Sequence, residues 1–160
     1  MESAFAVSNF FVQKSFETGI ELTPMKLIKL VYVAHGWHLG LYKKPLIGER
    51  IEAWQYGPVI PTIYEYFKYY GAGQIESLYY ESIGDKLVAP ELKEEEKSVF
   101  LERIWDVYKN YNGLELSFLT HRTGTPWDKV WNTPNNKGQF GLAIPNEMIA
   151  THYASKLKAA

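Results

Sequence analysis

The chain has 160 residues with 17 basic and 18 acidic side chains, a formal charge of -1, so nothing global draws it to nucleic-acid phosphates. It contains no cysteine, which excludes disulfide scaffolds, thiol nucleophiles and Cys-ligated zinc. The length suits one domain, residues 1–160, that buries about two thirds of its unfolded surface without a metal or a disulfide.

The opening "MESAFAVSNF" has no basic start and no cleavage site, so no signal peptide is read there and a cytoplasmic protein is expected. Ala4, Val7, Phe10 and Phe11 mark one side of a helix over Ser3–Phe16. Thr23 is an N-cap with Pro24 in the first helical position. The helix that follows, residues 24–41, repeats apolar residues at Leu27, Leu30, Val31, Ala34, Trp37 and Leu41. It is predicted to be the most buried element. Lys26, Lys29, His35 and His38 make it a poor membrane span. A turn and a short strand are expected over "KKPLIGERIEAW", a helix from Pro61 to Tyr70, and a loop with a short strand over 72–93. "KEEEKSVFLERIWDVYKNY" predicts an amphipathic helix with Phe100, Ile104, Val107 and Tyr111 on one stripe. Asn112 opens a short helix, Thr125 and Pro126 open another with Asp128 contributing at its third position, and a last helix closes the chain. The fold class is therefore mainly α: a compact helical domain with two or three short β-strands.

No strong chemical motif stands out. There is no glycine-rich nucleotide loop, no GxSxG and no HExxH. His35 and His38 share a helical face but lack a third ligand, so no metal and no cofactor are expected. One of these histidines should border the core and bond to backbone, the other should meet solvent or a partner. Glu52, Glu65 and Asp106 read most simply as surface carboxylates. Lys26, Lys29, Lys43 and Lys44 form no basic stripe, and direct DNA binding is not expected.

"RIEAWQYGPVIPTIYEYF" is unlike the rest. Gly57 supplies a backbone conformation that other residues avoid, Pro58 restrains it, and Pro61 starts a helix. The stretch is either a rigid corner between strand and helix or a platform that holds aromatic groups ready for a partner.

"LTPMKLIKLVYVAHGWHLGLY", "PLIGERIEAWQYGPVIPTIYEYFKYYG", "LERIWDVYKNYNGLELSFLTHRTGTPWDKVW" and "IPNEMIATHYA" together resemble the Panacea domain family, which includes SocA-type antitoxins and phage-associated proteins. "EAWQYGPVIPTIY" is the most specific of them, matching E-A-W-x-x-G-P-V-x-x-x-x-Y. The resemblance implies an antitoxin that neutralises a cognate toxin, encoded by the adjacent gene, through direct contact. One branch of the family resembles an adaptor that delivers its toxin to a AAA+ protease. The terminal "SKLKAA" offers only a weak docking signal, so plain neutralisation stands ahead of delivery. A DNA-binding extension, present in some members, is not expected at this length. The resemblance carries no catalytic residues. A phage accessory protein that binds a host factor is an alternative, as is an enzyme built on a polar cleft around His38, Glu52 and His121. The candidate partner-binding residues are Trp54, Tyr56, Gly57, Pro58, Val59 and Tyr64, with Trp127 added. Trp54 is the first of them to be assigned to the core if any is.

Overall fold

A computed structural model describes residues 1–133 and 139–158. Helix α1 (Ala4–Thr18) precedes the long α2 (Pro24–Tyr42), and a hairpin follows from β1 (Glu52–Trp54) and β2 (Gly57–Val59). Then come α3 (Pro61–Phe67), a second hairpin of β3 (Glu81–Ile83) and β4 (Lys86–Val88), and α4 (Glu95–Tyr108). The chain continues through α5 (Gly113–Thr120), α6 (Pro126–Trp131), β5 (Leu142–Ala143) and α7 (Asn146–Lys158). The mainly helical class is as the sequence predicts. The strands among the described residues number five, because two tight hairpins each contribute a pair and β5 adds one beside β1.

Helix α2 is the centre of the fold, with 15 of its 19 residues buried. The Thr23 side chain accepts the Lys26 amide and Pro24 occupies the first turn, as the sequence predicts. Helices α1, α4, α5 and α7 pack around it, so it has no solvent face to make polar. Leu41 departs from the expected pattern: it is 45% exposed, because it lines an open groove between α2 and α4. Both histidines of α2 are buried, which corrects the expectation that one would meet solvent. His35 Nε2 pairs with Asn146 Oδ1 at 2.8 Å while its Nδ1 accepts the Ile47 amide. His38 Nδ1 pairs with the Lys44 carbonyl, and its Nε2 lies 3.0 Å from Lys97 Nζ.

Glycines bring α7 onto α2. A Cβ at Gly40 would lie 2.8 Å from Tyr153 Cβ and 3.0 Å from its carbonyl carbon, and one at Gly36 would run into the Tyr153 ring. That ring is buried, edge-on to Trp37 and Tyr32.

Helix α4 buries Phe100, Leu101, Ile104 and Trp105. Phe100 and Ile104 are buried as expected, but Val107 is 64% exposed and Tyr111 lies beyond the helix, and Leu101 and Trp105 complete the buried face instead. Its N-terminus lacks a side-chain cap of its own. The buried Glu2 carboxylate accepts the Lys93 and Glu94 amides there, and Glu49 does the same for Ala4 of α1.

Gly40→Ala is expected to lower stability by about 1–3 kcal/mol through overpacking against Tyr153, although alanine favours a helix interior by up to about 1 kcal/mol. Urea unfolding checks this, and a raised midpoint would contradict the close approach of α7.

Candidate functional site

The stretch singled out in the sequence folds as a two-residue hairpin. Glu52, Ala53 and Trp54 pair with Val59, Pro58 and Gly57, leaving Gln55 and Tyr56 as the turn. Gly-Pro-Val is therefore a strand, not a corner joining strand to helix. Proline is tolerated because β2 is the edge of the sheet, whose order is β2-β1-β5. Gly57 has φ +115°, a conformation that L side chains rarely adopt.

Three alternate carbonyls of the hairpin are each held by a side chain from a different helix. Trp127 Nε1 of α6 donates to the Trp54 carbonyl, and Ser117 Oγ of α5 donates to the Tyr56 carbonyl at 2.6 Å. Lys29 Nζ of α2 donates to the Pro58 carbonyl at 2.9 Å. Lys29 is 2% exposed, and its ammonium lies so close to Gly57 that a Cβ there would sit 2.9 Å from it. Burial without a carboxylate pushes Lys29 down from 10.5 to about 7.

The candidate residues separate into two groups. Trp54, Tyr56, Val59 and Tyr64 line one groove of about 770 Å³, together with Pro24, Met25, Ile28, Lys29 and Phe140. Trp54 is half-buried, its ring edge-on to Tyr64 at 4.9 Å and tilted against Phe140 at 4.8 Å. Its indole donates to Glu52, which also pairs with Arg50. Tyr56 is 63% exposed and packs against none of the described rings. Gly57, Pro58 and Trp127 are buried, and Trp127 supports the hairpin from within, with His121 edge-on at 5.2 Å.

His38, Glu52 and His121, which an enzymatic cleft would have to unite, sit in separate clusters. His38 is occupied by Lys44 and Lys97, Glu52 by Arg50 and Trp54, and His121 by Ser117 and Trp127. The described residues hold no group of three or more His, Cys, Asp or Glu placed to bind a metal. Among them no helix is long and apolar enough to cross a membrane.

The family model described as antitoxin SocA-like, Panacea domain, matches residues 27–128. The chain belongs to the Panacea family. A curated relative, antitoxin SocA of Caulobacter vibrioides (strain NA1000 / CB15N), is 28% identical over 153 residues, which cover 94% of this chain and 81% of that protein. No solved structure matches the chain. The matched Panacea span holds the whole first hairpin and all three side chains that grip it, Lys29, Ser117 and Trp127.

Sequence reasoning missed Lys29 and Ser117 as parts of this Panacea site. The available signal for Lys29 was a cation within an otherwise apolar helix, a position that requires an acceptor. Ser117 carried no comparable signal, because its acceptor comes from a hairpin 61 residues earlier.

Two outcomes follow from this geometry. Gly57→Ala is expected to cost about 1–3 kcal/mol, since its side chain would be strained and would strike the Lys29 ammonium; chemical denaturation measures this, and an unchanged midpoint would contradict it. Stability should also depend on pH through Lys29. Between about 7 and 10 the unfolded chain holds this proton more firmly than the native state, whose Lys29 is lowered to about 7, so stability rises with pH across that window. Above about 10 the buried Tyr32 and Tyr153, both raised, act in the opposite sense. Melting temperatures across the window should rise for the wild type and flatten for Lys29→Met; equal slopes would contradict the assignment.

Proposed function

We propose that this protein is an antitoxin that neutralises a cognate toxin by direct contact, without doing chemistry on it, and that the groove beside the first hairpin is the contact surface. The observation that carries this reading is the arrangement of the Panacea motif itself. Its backbone is fixed from behind by three helices, while Tyr56 at the turn stands exposed beside an aromatic groove. An aromatic side chain on a rigid support loses little conformational freedom on binding. Interface energy usually concentrates in a few such anchors.

Family membership and the name of the relative, antitoxin SocA, support the reading. Trp54, Val59 and Tyr64 form the walls that a partner would meet around Tyr56, while Gly57, Pro58 and Trp127 hold that surface in shape. The toxin in this reading is the product of the adjacent gene.

The test is co-expression with that product. Growth rescue is expected from the wild type and from Leu87→Ala, a control on β4 that is 71% exposed and does not line the groove. Tyr56→Ala should remain folded, because its side chain is mostly in solvent. It should bind the toxin roughly thirtyfold more weakly, the equivalent of about 2 kcal/mol. Full rescue and full affinity from Tyr56→Ala, or rescue without any complex, would refute contact through this surface.

A further inference from the structure

Helix α4 is buried on one side only. Phe100, Leu101, Ile104 and Trp105 face the core, while Val99 and Val107 are exposed. With about 3.6 residues per turn, positions 96, 99, 103 and 107 fall on one stripe beside the buried face. All four line an open groove whose other wall is the end of α2, where Leu41 and Tyr42 are exposed as well. The floor of this groove is fixed. Trp37 Nε1 donates to the Tyr108 hydroxyl at 2.8 Å, and the Tyr42 and Phe100 rings meet edge-on at 5.9 Å. Two opposite charges punctuate the stripe, Glu96 in the first turn of α4 and Arg103 further along it. Neither belongs to any of the ion pairs among the described residues. They do not pair with each other, because seven positions separate them by about 10 Å along the helix axis.

We infer that this face binds a second copy of the chain, with the two α4 helices antiparallel about a two-fold axis beside Val99. The charge pattern selects this occupant. In an antiparallel pair, facing positions advance in opposite directions along the two helices. An axis between positions 99 and 100 therefore brings Glu96 of each copy onto Arg103 of the other. Both unpaired charges are satisfied in the same register, and Val99 meets its own symmetry mate at the centre. Parallel packing in register would instead set Glu96 on Glu96 and Arg103 on Arg103. A contact in which one patch serves both subunits is what two-fold symmetry requires. Leu41 and Tyr42 of α2 widen the apolar part of the patch beyond what α4 offers alone. The charged pairs lie in solvent-exposed positions, where such pairs set register and partner choice more than affinity. The face shares no lining residue with the groove beside the first hairpin, so self-association does not rest on the antitoxin reading.

The experiment is sedimentation equilibrium of the full-length protein over about 1–500 μM, a span that reveals dissociation constants of that order. The wild type should form a dimer that dissociates on dilution. Glu96→Arg and Arg103→Glu each set like charges against each other at both ends of the contact, and each should weaken the dimer at least about tenfold. Both side chains are exposed, so both variants should keep the fold, which circular dichroism checks. An equimolar mixture of the two variants again sets every such charge against its opposite. It should form a heterodimer at least as tight as the wild-type dimer, and the chain carrying both changes should dimerise like the wild type. A wild type that stays monomeric across the range, single variants that dimerise as tightly as the wild type, or a mixture that does not associate would each overturn the inference. A monomeric wild type whose toxin binding is lost in both variants would assign the groove to the toxin and overturn it too. The outcome is separable from that of the antitoxin reading. Growth rescue by a monomeric wild type defeats only the inference, and a dimer without rescue defeats only the antitoxin role.

Discussion

Three hydrogen bonds to alternate carbonyls decide how this molecule presents its surface. Trp127, Ser117 and Lys29 reach the carbonyls of Trp54, Tyr56 and Pro58 from three separate helices. Each bond alone contributes only about 0.5–1.5 kcal/mol, but leaving such a buried group unsatisfied costs about 1–3 kcal/mol. The hairpin therefore cannot shift without losing partners that no other position would replace. Two residues of turn, Gln55 and Tyr56, are what that clamp leaves free. An isolated two-stranded hairpin is marginal in water. Here the helices supply what the strands lack.

The clamp depends in turn on α2. Lys29 can stand under the hairpin only because its helix is enclosed on nearly every side, held against α7 by the absence of side chains at Gly36 and Gly40. The same enclosure explains why the lysines and histidines of α2 have hydrogen-bond partners, although the buried Tyr32 hydroxyl has none among the described residues. Lys26 meets the Lys109 carbonyl, His35 meets Asn146 and the Ile47 amide, and His38 meets the Lys44 carbonyl. Lys29 is the one of this set that reaches under the hairpin, where it donates to the Pro58 carbonyl. The neighbouring helix ends are closed by carboxylates from elsewhere in the chain, Glu2 and Glu49, so the supporting elements are fixed by bonds distant in sequence.

Local chemistry made much of this legible. Thr23 with Pro24, Asn112 with Glu115, and Thr125 with Pro126 and Asp128 mark helix starts in the sequence, and the side-chain caps are present at each. The hairpin was hidden because Gly-Pro reads as a breaker, and an edge strand that tolerates proline is recognised only from its neighbours. The α4 stripe is right at Phe100 and Ile104 and wrong at Val107 and Tyr111, because only packing against α1 and α2 turns the buried face toward Leu101 and Trp105. Buried lysines and histidines were the least legible, since what satisfies them lies up to 111 residues away in sequence. At the candidate site, Trp54, Tyr56 and Tyr64 follow from the motif and Phe140 does not, whereas Trp127 looks like a contact residue in the sequence and is a buried support in the structure. The Ala-Ala tail, 159–160, lies outside the described residues.

The central claim is that the partner toxin sits on the clamped hairpin. Site-specific photocrosslinking tests it most directly, with a benzoylphenylalanine placed in turn at position 56 in the hairpin turn and at position 87 on the second hairpin. The account predicts that the toxin is captured from position 56 and not from position 87. Capture from position 87 with none from position 56, both variants being folded and the complex intact, would contradict it.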